Sequence, residues 1–282
     1  MTMEKLLFGT AGIPLSSFPQ DTPGGIKRVA ELGLGCMEME FVRGIYLKKA
    51  ATAENVMDTA LKEKVFLSVH APYYINLNAH EEYKLRASKR MILDSARMAF
   101  LSGALDVVFH AGFYLGDPPQ LTYDNIRRSI EEILEHLEDE GVRVTLRPEL
   151  SGKPSQFGSL EEILTLSAEL EGVAPCIDFA HCHARSGAFN SYDEFTSVLE
   201  KVREKLGVEA LHKLHLHISG IEYGQKGERK HLTLNDSDFN YRELLKALVN
   251  HGVAGLVICE SPNLEEDAIL LKTAYDEIRS NR

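Results

Sequence analysis

Histidine and carboxylate side chains gather at the ends of short apolar runs in this sequence, and one stretch carries three of them together. Residues 174–187 read APCIDFAHCHARSG, in which Asp178, His181 and His183 follow an apolar start. Imidazole nitrogens and carboxylate oxygens are the usual protein ligands of zinc and manganese. The stretch therefore predicts metal ligands at the end of a strand, with His183 peripheral because it comes last.

Other apolar runs end in the same residue types. The strand-end candidates are His70, His110, Glu149, Asp178, His181, His215, His217 and Glu260. A single such histidine is more often an ordinary buried residue, and a single glutamate could pair with a neighbour such as Arg147. Carboxylates directed into one space, however, repel each other unless a cation lies between them. Agreement over six successive runs therefore predicts a metal cluster, although HLH at 215–217 leaves open which of its histidines is used.

The elements that must position these residues repeat along the whole chain. The apolar runs span residues 6–12, 35–41, 65–72, 106–112, 143–150, 174–181, 213–220 and 255–262. Amphipathic stretches follow them, and this alternation predicts parallel strands joined by helices. Eight units in 282 residues favour one closed (β/α)₈ barrel domain over residues 1–282. An open doubly wound sheet is the alternative, but GTAGIPLSS (9–17) lacks its G-x-G-x-x-G turn.

Helix boundaries also leave signals. Ile126, Ile130, Ile133 and Leu137 recur at helical spacing. Ser159 precedes Glu162 by three residues, which predicts a capping box. The last helix is expected to begin at Asn263, a residue type suited to the N-cap position.

Composition narrows the class of protein. The chain is 44% apolar with a formal net charge of −11. It contains no run of about 18 apolar residues, so the sequence predicts no membrane span. We read no signal peptide and expect a cytoplasmic protein. The four cysteines form no C-x-x-C pair and are expected to be small core residues. The acidic balance argues against nonspecific DNA coating but permits local phosphate binding through metal ions.

Four segments together resemble one known family. They are HAPYYINL (70–77), FHAG (109–112), CIDFAHCHARSG (176–187) and CESP (259–262). They are similar to segments of endonuclease IV, the barrel-type apurinic/apyrimidinic endonucleases of the xylose isomerase-like superfamily. The resemblance runs over nearly the whole chain and again implies a TIM barrel.

The resemblance implies a zinc enzyme that cleaves DNA 5′ to abasic sites and acts as a monomer. Carried over by position, the zinc ligands are His70, His110, Glu149, Asp178, His181, His215, His231 and Glu260. Glu149 would be shared by the first two metals, and His181 and His231 would hold the third. Glu149 and Glu260 would be the catalytic carboxylates.

Substrate contacts follow from the same resemblance, as do two departures from the family pattern. Tyr73 and Arg229 would contact DNA. Arg229 occupies the position of the family's third-metal aspartate, so two or three zinc ions are expected per chain. Glu228 could substitute only if the chain shifts by one residue. HLHISG (215–220) also lacks the family's Asn, Asp and Lys, while MEMEFVRG (37–44) places Glu38, Glu40 and Arg43 near the mouth.

Two other functions are compatible with the pattern. A sugar isomerase or epimerase of the same superfamily would place Glu149, Asp178, His215 and Glu260 around one Mn²⁺ or Mg²⁺. The additional histidines on other strands favour the endonuclease. A catalytically inactive barrel that binds damaged DNA or a protein would explain the lost aspartate, but the ligands kept on the other strands argue against it.

Overall fold

Ten strands and nine α-helices lie within residues 5–42, 44–45 and 50–281, which the computed structural model describes. The strands are β1 (Leu6–Ala11), β2 (Cys36–Glu40), β3 (Phe66–His70), β4 (Asp106–Phe109), β5 (Thr145–Pro148), β6 (Cys176–Asp178), β7 (Leu214–Ile218), β8 (Gly220–Gly224), β9 (Gly227–Leu232) and β10 (Gly255–Cys259). Strands β1 to β7 and β10 coincide with the eight apolar runs. The predicted (β/α)₈ fold is therefore confirmed.

The eight barrel strands pair in parallel in the order β5–β4–β3–β2–β1–β10–β7–β6. The ring closes between β5 and β6, where the Leu150 amide donates to the Cys176 carbonyl at 3.0 Å and Glu149 bridges to Cys176. Closure rules out the open doubly wound sheet. The carboxyl ends of all eight strands consequently face one mouth, where barrel enzymes place their chemistry.

The helices are α1 (Thr22–Glu31), α2 (Ala50–Glu63), α3 (Glu82–Leu101), α4 (Pro119–Asp139), α5 (Leu160–Glu169), α6 (Phe179–Ser186), α7 (Tyr192–Leu206), α8 (Tyr241–Asn250) and α9 (Glu265–Ser280). The helices other than α6 surround the barrel, and each buries one apolar face. The predicted apolar stripe of α4 is buried, including Ile130 and Ile133. Ser159 and Glu162 form the predicted capping box at the start of α5.

The predicted start of the last helix is wrong. Leu264, not Asn263, occupies the capping position, and α9 begins at Glu265. The side-chain amide of Asn263 donates to the Asp267 carboxylate at 3.0 Å. The side chain of Asn263 therefore contacts a side chain of the first turn and does not cap the backbone amides.

Two elements near the mouth were not expected from the sequence pattern. Helix α6 starts directly after β6, and Asp178 caps it by accepting from the His181 amide at 2.6 Å. Strands β8 and β9 form an antiparallel hairpin after β7. Both elements bring polar side chains to the edge of the barrel mouth.

Several remaining expectations concern single residues. Cys36, Cys176, Cys182 and Cys259 are all buried and unpaired, as the sequence predicts. No helix in the described part of the chain is long and apolar enough to cross a membrane. Arg43, which was expected near the mouth, lies outside the described residues.

Candidate metal centre

The first ligand group joins β3, β4 and β5. His70 is the last residue of β3, whereas His110 and Glu149 directly follow β4 and β5. Their ligand atoms lie within 4.8 Å of one another, with Glu149 Oε2 3.1 Å from His70 Nε2 and 3.3 Å from His110 Nε2. His70 Nδ1 donates to the Ala71 carbonyl at 2.8 Å, which leaves Nε2 directed at the group. The structure thus brings together these three predicted ligands.

The second group combines Glu149, Asp178 and Glu260 with a histidine of β7. That histidine is His217, whose Nδ1 lies 3.5 Å from Glu149 Oε1 and 3.4 Å from Glu260 Oε1. The assignment of His215 to this group is therefore corrected. Both histidines face the barrel interior, but strands rise about 3.3 Å per residue, so His215 lies roughly one layer deeper. Its ring contacts Glu38 and Asp106 at 2.9 and 3.2 Å.

The third group contains Asp178, His181 and His231. His181 Nε2 lies 3.3 Å from His231 Nε2, and Glu228 Oε2 approaches the same His181 nitrogen at 3.5 Å. His181 Nδ1 donates to the Leu150 carbonyl at 3.0 Å, so Nε2 is again the nitrogen available to bind a metal. A carboxylate is therefore present beside the two histidines, although residue 229 is an arginine.

A β-bulge in the hairpin explains how Glu228 reaches this group. Tyr223 pairs with Glu228 and Glu222 pairs with Lys230, so Arg229 is an extra residue without a partner in the register. Side chains alternate along a regular strand, and residues three apart would face opposite sides. The extra residue lets Glu228 and His231 share one side. Glu228, and not Arg229, thus lies beside the third group.

The chemistry of these groups fits a bound cation cluster. Glu149 belongs to the first and second groups, and Asp178 belongs to the second and third. The side chains of Glu149, Asp178 and Glu260 are 1%, 0% and 8% exposed. Glu149 Oε1, Asp178 Oδ2 and Glu260 Oε2 have no hydrogen-bond partner among the described residues. Buried carboxylate oxygens without partners are costly, and divalent cations would satisfy them.

The pKa shifts within the cluster also indicate a need for positive charge. Burial raises the pKa of Asp178 well above its ordinary value, and the carboxylates of Glu260 and Glu149 add to the rise. Burial lowers the pKa of His110 to about 4, which keeps its imidazole neutral. Burial also acts to lower the pKa of His70, but Glu149 and Glu40 outweigh it and raise that pKa to about 10. The raised pKa of Asp178 thus reflects nearby negative charge that a divalent cation would offset.

The mouth above the cluster is a cavity of about 400 Å³. Tyr73 is 52% exposed at its rim, with its ring centroid 5.4 Å from that of His70. Lys153 and Gln156 from the loop after β5 also line it. Arg229 does not line the cavity but lies exposed on the hairpin, 3.3 Å from Glu222. Tyr73 and Lys153 could therefore contact a ligand in the cavity, whereas Arg229 could contact only a larger one.

Glu38 and Glu40 both project from β2 into the barrel interior but at different depths. Glu38 is fully buried beneath the cluster, where its carboxylate contacts His215 and His217 at 2.9 Å each. Glu40 lies nearer the mouth, and burial raises its pKa to about 8 against the opposing effect of His70. The neighbours of Glu38 and Glu40 could not be read from the local sequence, because those neighbours lie on other strands.

Comparison with known proteins supports the same family. A family model described as xylose isomerase-like TIM barrel matches residues 26–278. The uncharacterized protein MJ0133 of Methanocaldococcus jannaschii is 47% identical over 97% of this chain and 98% of its own length. A probable endonuclease 4 of Staphylococcus carnosus is 28% identical over 71% of this chain and 67% of its own length.

Solved structures share the fold with this chain. Endonuclease IV from Thermus thermophilus has a TM-score of 0.74 at 18% identity, covering 97% of this chain and 100% of that one. An L-ribulose 3-epimerase has a TM-score of 0.72 at 10% identity, covering 100% of this chain and 97% of that one. At these identities the similarity concerns the barrel alone, so any choice of activity must come from the site.

Proposed function

The chain belongs to the xylose isomerase-like TIM barrel family, and we propose that within it the protein is an endonuclease IV-like phosphodiesterase. Its substrate would be DNA containing abasic sites, cleaved on the 5′ side of the lesion, by a monomer in the cytoplasm. The observation that carries this proposal is the overlap of three ligand groups through Glu149 and Asp178.

The overlap distinguishes this activity from single-metal sugar chemistry. One divalent ion needs only the group of Glu149, Asp178, His217 and Glu260. That arrangement would leave His70, His110, His181, His231 and Glu228 without a role. Phosphodiester hydrolysis commonly uses several metal ions, because both the attacking and the leaving oxygen need charge stabilisation.

The ligand types favour zinc. Each group combines imidazole with carboxylate, a set that zinc binds well. In the second group Glu149, Asp178, His217 and Glu260 would hold one ion. His70 and His110 with Glu149 would hold another, and His181, His231 and Glu228 with Asp178 a third. Bound zinc would supply Lewis-acid stabilisation of the phosphodiester oxygens.

Residues around the mouth would position the DNA. The half-buried Lys153 lines the cavity, where its ammonium could pair with a phosphate. Arg229 and Lys230 are 64% and 65% exposed on the hairpin, and they place positive charge beside the mouth of an otherwise acidic protein. Tyr73 offers an aromatic face that could pack against a sugar or base. Local cations and bound metal would thus compensate for the net charge of −11.

A duplex carrying one tetrahydrofuran abasic analogue tests this proposal. Zinc-loaded protein should nick the duplex on the 5′ side of the analogue without added Mg²⁺ and leave an undamaged duplex intact. Binding should weaken as salt increases, because phosphates are contacted.

The alternatives are separate outcomes of the same experiment. Metal-loaded protein that leaves the DNA intact but interconverts ketose sugars would identify an epimerase. Protein that binds abasic DNA, holds no metal and catalyses neither reaction would be a binding module. Glu82→Gln serves as a control for the variants below, because Glu82 is an exposed residue of α3, with its side chain 80% exposed.

A further inference from the structure

A fully buried carboxylate, Glu38, lies directly beneath the second ligand group. Its Oε1 atom is 2.9 Å from His217 Nε2, and its Oε2 atom is 2.9 Å from His215 Nε2. Ser68 Oγ also donates to Oε2 at 2.7 Å. Glu38 therefore joins two histidines that occupy successive layers of the barrel.

This contact determines which nitrogen His217 presents to the mouth. A carboxylate oxygen can only accept, so Nε2 is the ring nitrogen of His217 that would keep its proton when Nδ1 binds a metal. The Nδ1 atom faces Glu149 and Glu260 at 3.5 and 3.4 Å, and it would have to release any proton in order to bind a metal there. His217 thus directs Nδ1 into the same space as the free carboxylate oxygens.

The orientation is opposite to that of other histidines in the cluster. His70 and His181 direct Nδ1 at backbone carbonyls and present Nε2. His217 presents Nδ1 and has its Nε2 atom beside a side-chain carboxylate instead. A carboxylate anchor fixes the ring orientation and increases the basicity of the ligand nitrogen more than a carbonyl does.

Glu38 is itself held from below. His215 Nδ1 lies 3.2 Å from Asp106 Oδ2, and Asp106 Oδ1 lies 2.8 Å from Arg147 Nε. Arg147 donates to the carbonyls of Pro175 and Lys213 at 3.0 Å each. The ladder of Glu38, His215, Asp106 and Arg147 therefore fixes the carboxylate to the barrel wall.

We propose that Glu38 is a positioning residue that holds the Nε2 proton of His217, so that Nδ1 binds the metal of the second group. This inference rests on the proposed metal cluster. Glu38 does not touch the metal or the substrate. Its effect is expected on the affinity and spectroscopic signature of one zinc ion, since loss of such outer partners typically costs about 10–100-fold in metal affinity.

The test compares Glu38→Gln with Asp106→Asn, which alters the same ladder three contacts away from His217. Both variants remove a buried charge, so both should lower the thermal stability of the metal-free protein. Only Glu38→Gln should weaken one zinc equivalent by about 10–100-fold in chelator competition. Asp106→Asn should retain zinc affinity within about threefold, as expected for a change outside the metal's immediate surroundings.

Histidine spectra of zinc-loaded protein with ¹⁵N-labelled histidine provide the second readout. One histidine, absent from the spectrum of His217→Asn, should show a protonated Nε2 and a metal-bound Nδ1. A protonated Nδ1 on His217 would overturn the inference. Unchanged zinc affinity in Glu38→Gln, or equal weakening in both ladder variants, would also overturn it.

These failures are distinguishable from failure of the proposed function. A wild-type protein that binds no zinc would remove the metal cluster and the role of Glu38 together. If the wild-type protein binds zinc and cleaves abasic DNA, but zinc affinity is unchanged in Glu38→Gln, only the positioning role would be wrong.

Discussion

The shell between barrel and helices and the inside of the barrel are built from opposite kinds of side chain. The shell is one continuous apolar cluster that includes Ile26, Ile92, Ile130 and Leu244. Inside the barrel, the small buried apolar cluster is Cys36, Leu256 and Ile258. Barrels of this type usually fill their interior with branched apolar side chains. Here histidines, carboxylates and an arginine replace much of that filling.

The difference separates stability from chemistry. Burial of apolar area in the shell stabilises the fold, by about 0.8 kcal/mol for each buried methylene. Buried ion pairs contribute little net stability, because desolvation offsets their attraction. We therefore expect substitutions in the shell to lower stability, and substitutions of the ligand residues inside the barrel to reduce metal binding and activity.

Glu149→Gln should have the largest effect on activity and bound zinc, and it tests the inside of the barrel. The change keeps the shape of the side chain but removes the charge shared by two ligand groups. Nuclease activity should fall by orders of magnitude, and bound zinc should fall by more than one equivalent. Glu82→Gln should change neither quantity. Full metal content and activity in Glu149→Gln would remove Glu149 from the centre.

Ile130→Ala tests the shell side. Ile130 is fully buried in α4, so the truncation leaves a cavity and should lower the free energy of unfolding by about 2–5 kcal/mol. Zinc bound per folded chain, measured below the unfolding transition, should stay at the wild-type value. Loss of zinc from the folded protein would mean that shell and interior are not separable in this way.

The bulge gives a sharper test at the edge of the interior. Glu228→Gln should weaken one zinc ion, because the third group loses its additional carboxylate. Deleting Arg229 should retain that ion, since Glu228 and His231 would then be two residues apart and share a face without a bulge. Chelator titration with counting of bound zinc measures both effects. Tight binding of all zinc in Glu228→Gln would show that Glu228 is not a ligand.

The smallest expected effect belongs to Arg229, which lies outside both regions. Arg229→Gln should weaken binding to duplex DNA about equally for all sequences and reduce the salt dependence by roughly one phosphate contact. Zinc content should not change, because the guanidinium points to Glu222 and away from the ligand groups. An unchanged salt slope would contradict the predicted contact of Arg229 with DNA.

The sequence predicts the barrel and the strand-end residues that the structure brings together at the mouth, because both follow from periodicity. Strand ends such as His70, His110 and Glu149 reach the mouth in any parallel barrel. The depth of a residue along its strand is harder to read, so the prediction names His215 where the structure places His217. Two-residue alternation directs both inward and cannot say which one lies at the mouth.

Two other features depend on contacts between distant segments. Glu228 reaches His181 only because pairing with β8 leaves Arg229 unpaired in the register, and no local signal marks that bulge. Glu38 meets His215 and His217 across the barrel interior. Such contacts arise from closure of the ring, so a single sequence contains their residues but not their pairing.

Metal stoichiometry tests the central claim most directly. Elemental analysis of purified protein, saturated with zinc and freed of loosely bound ions, counts the ions held by the barrel interior. The three overlapping ligand groups predict about three zinc ions per chain. One ion per chain, with manganese or magnesium preferred over zinc, would contradict the account and favour single-metal sugar chemistry. A chain that binds no metal would contradict it completely.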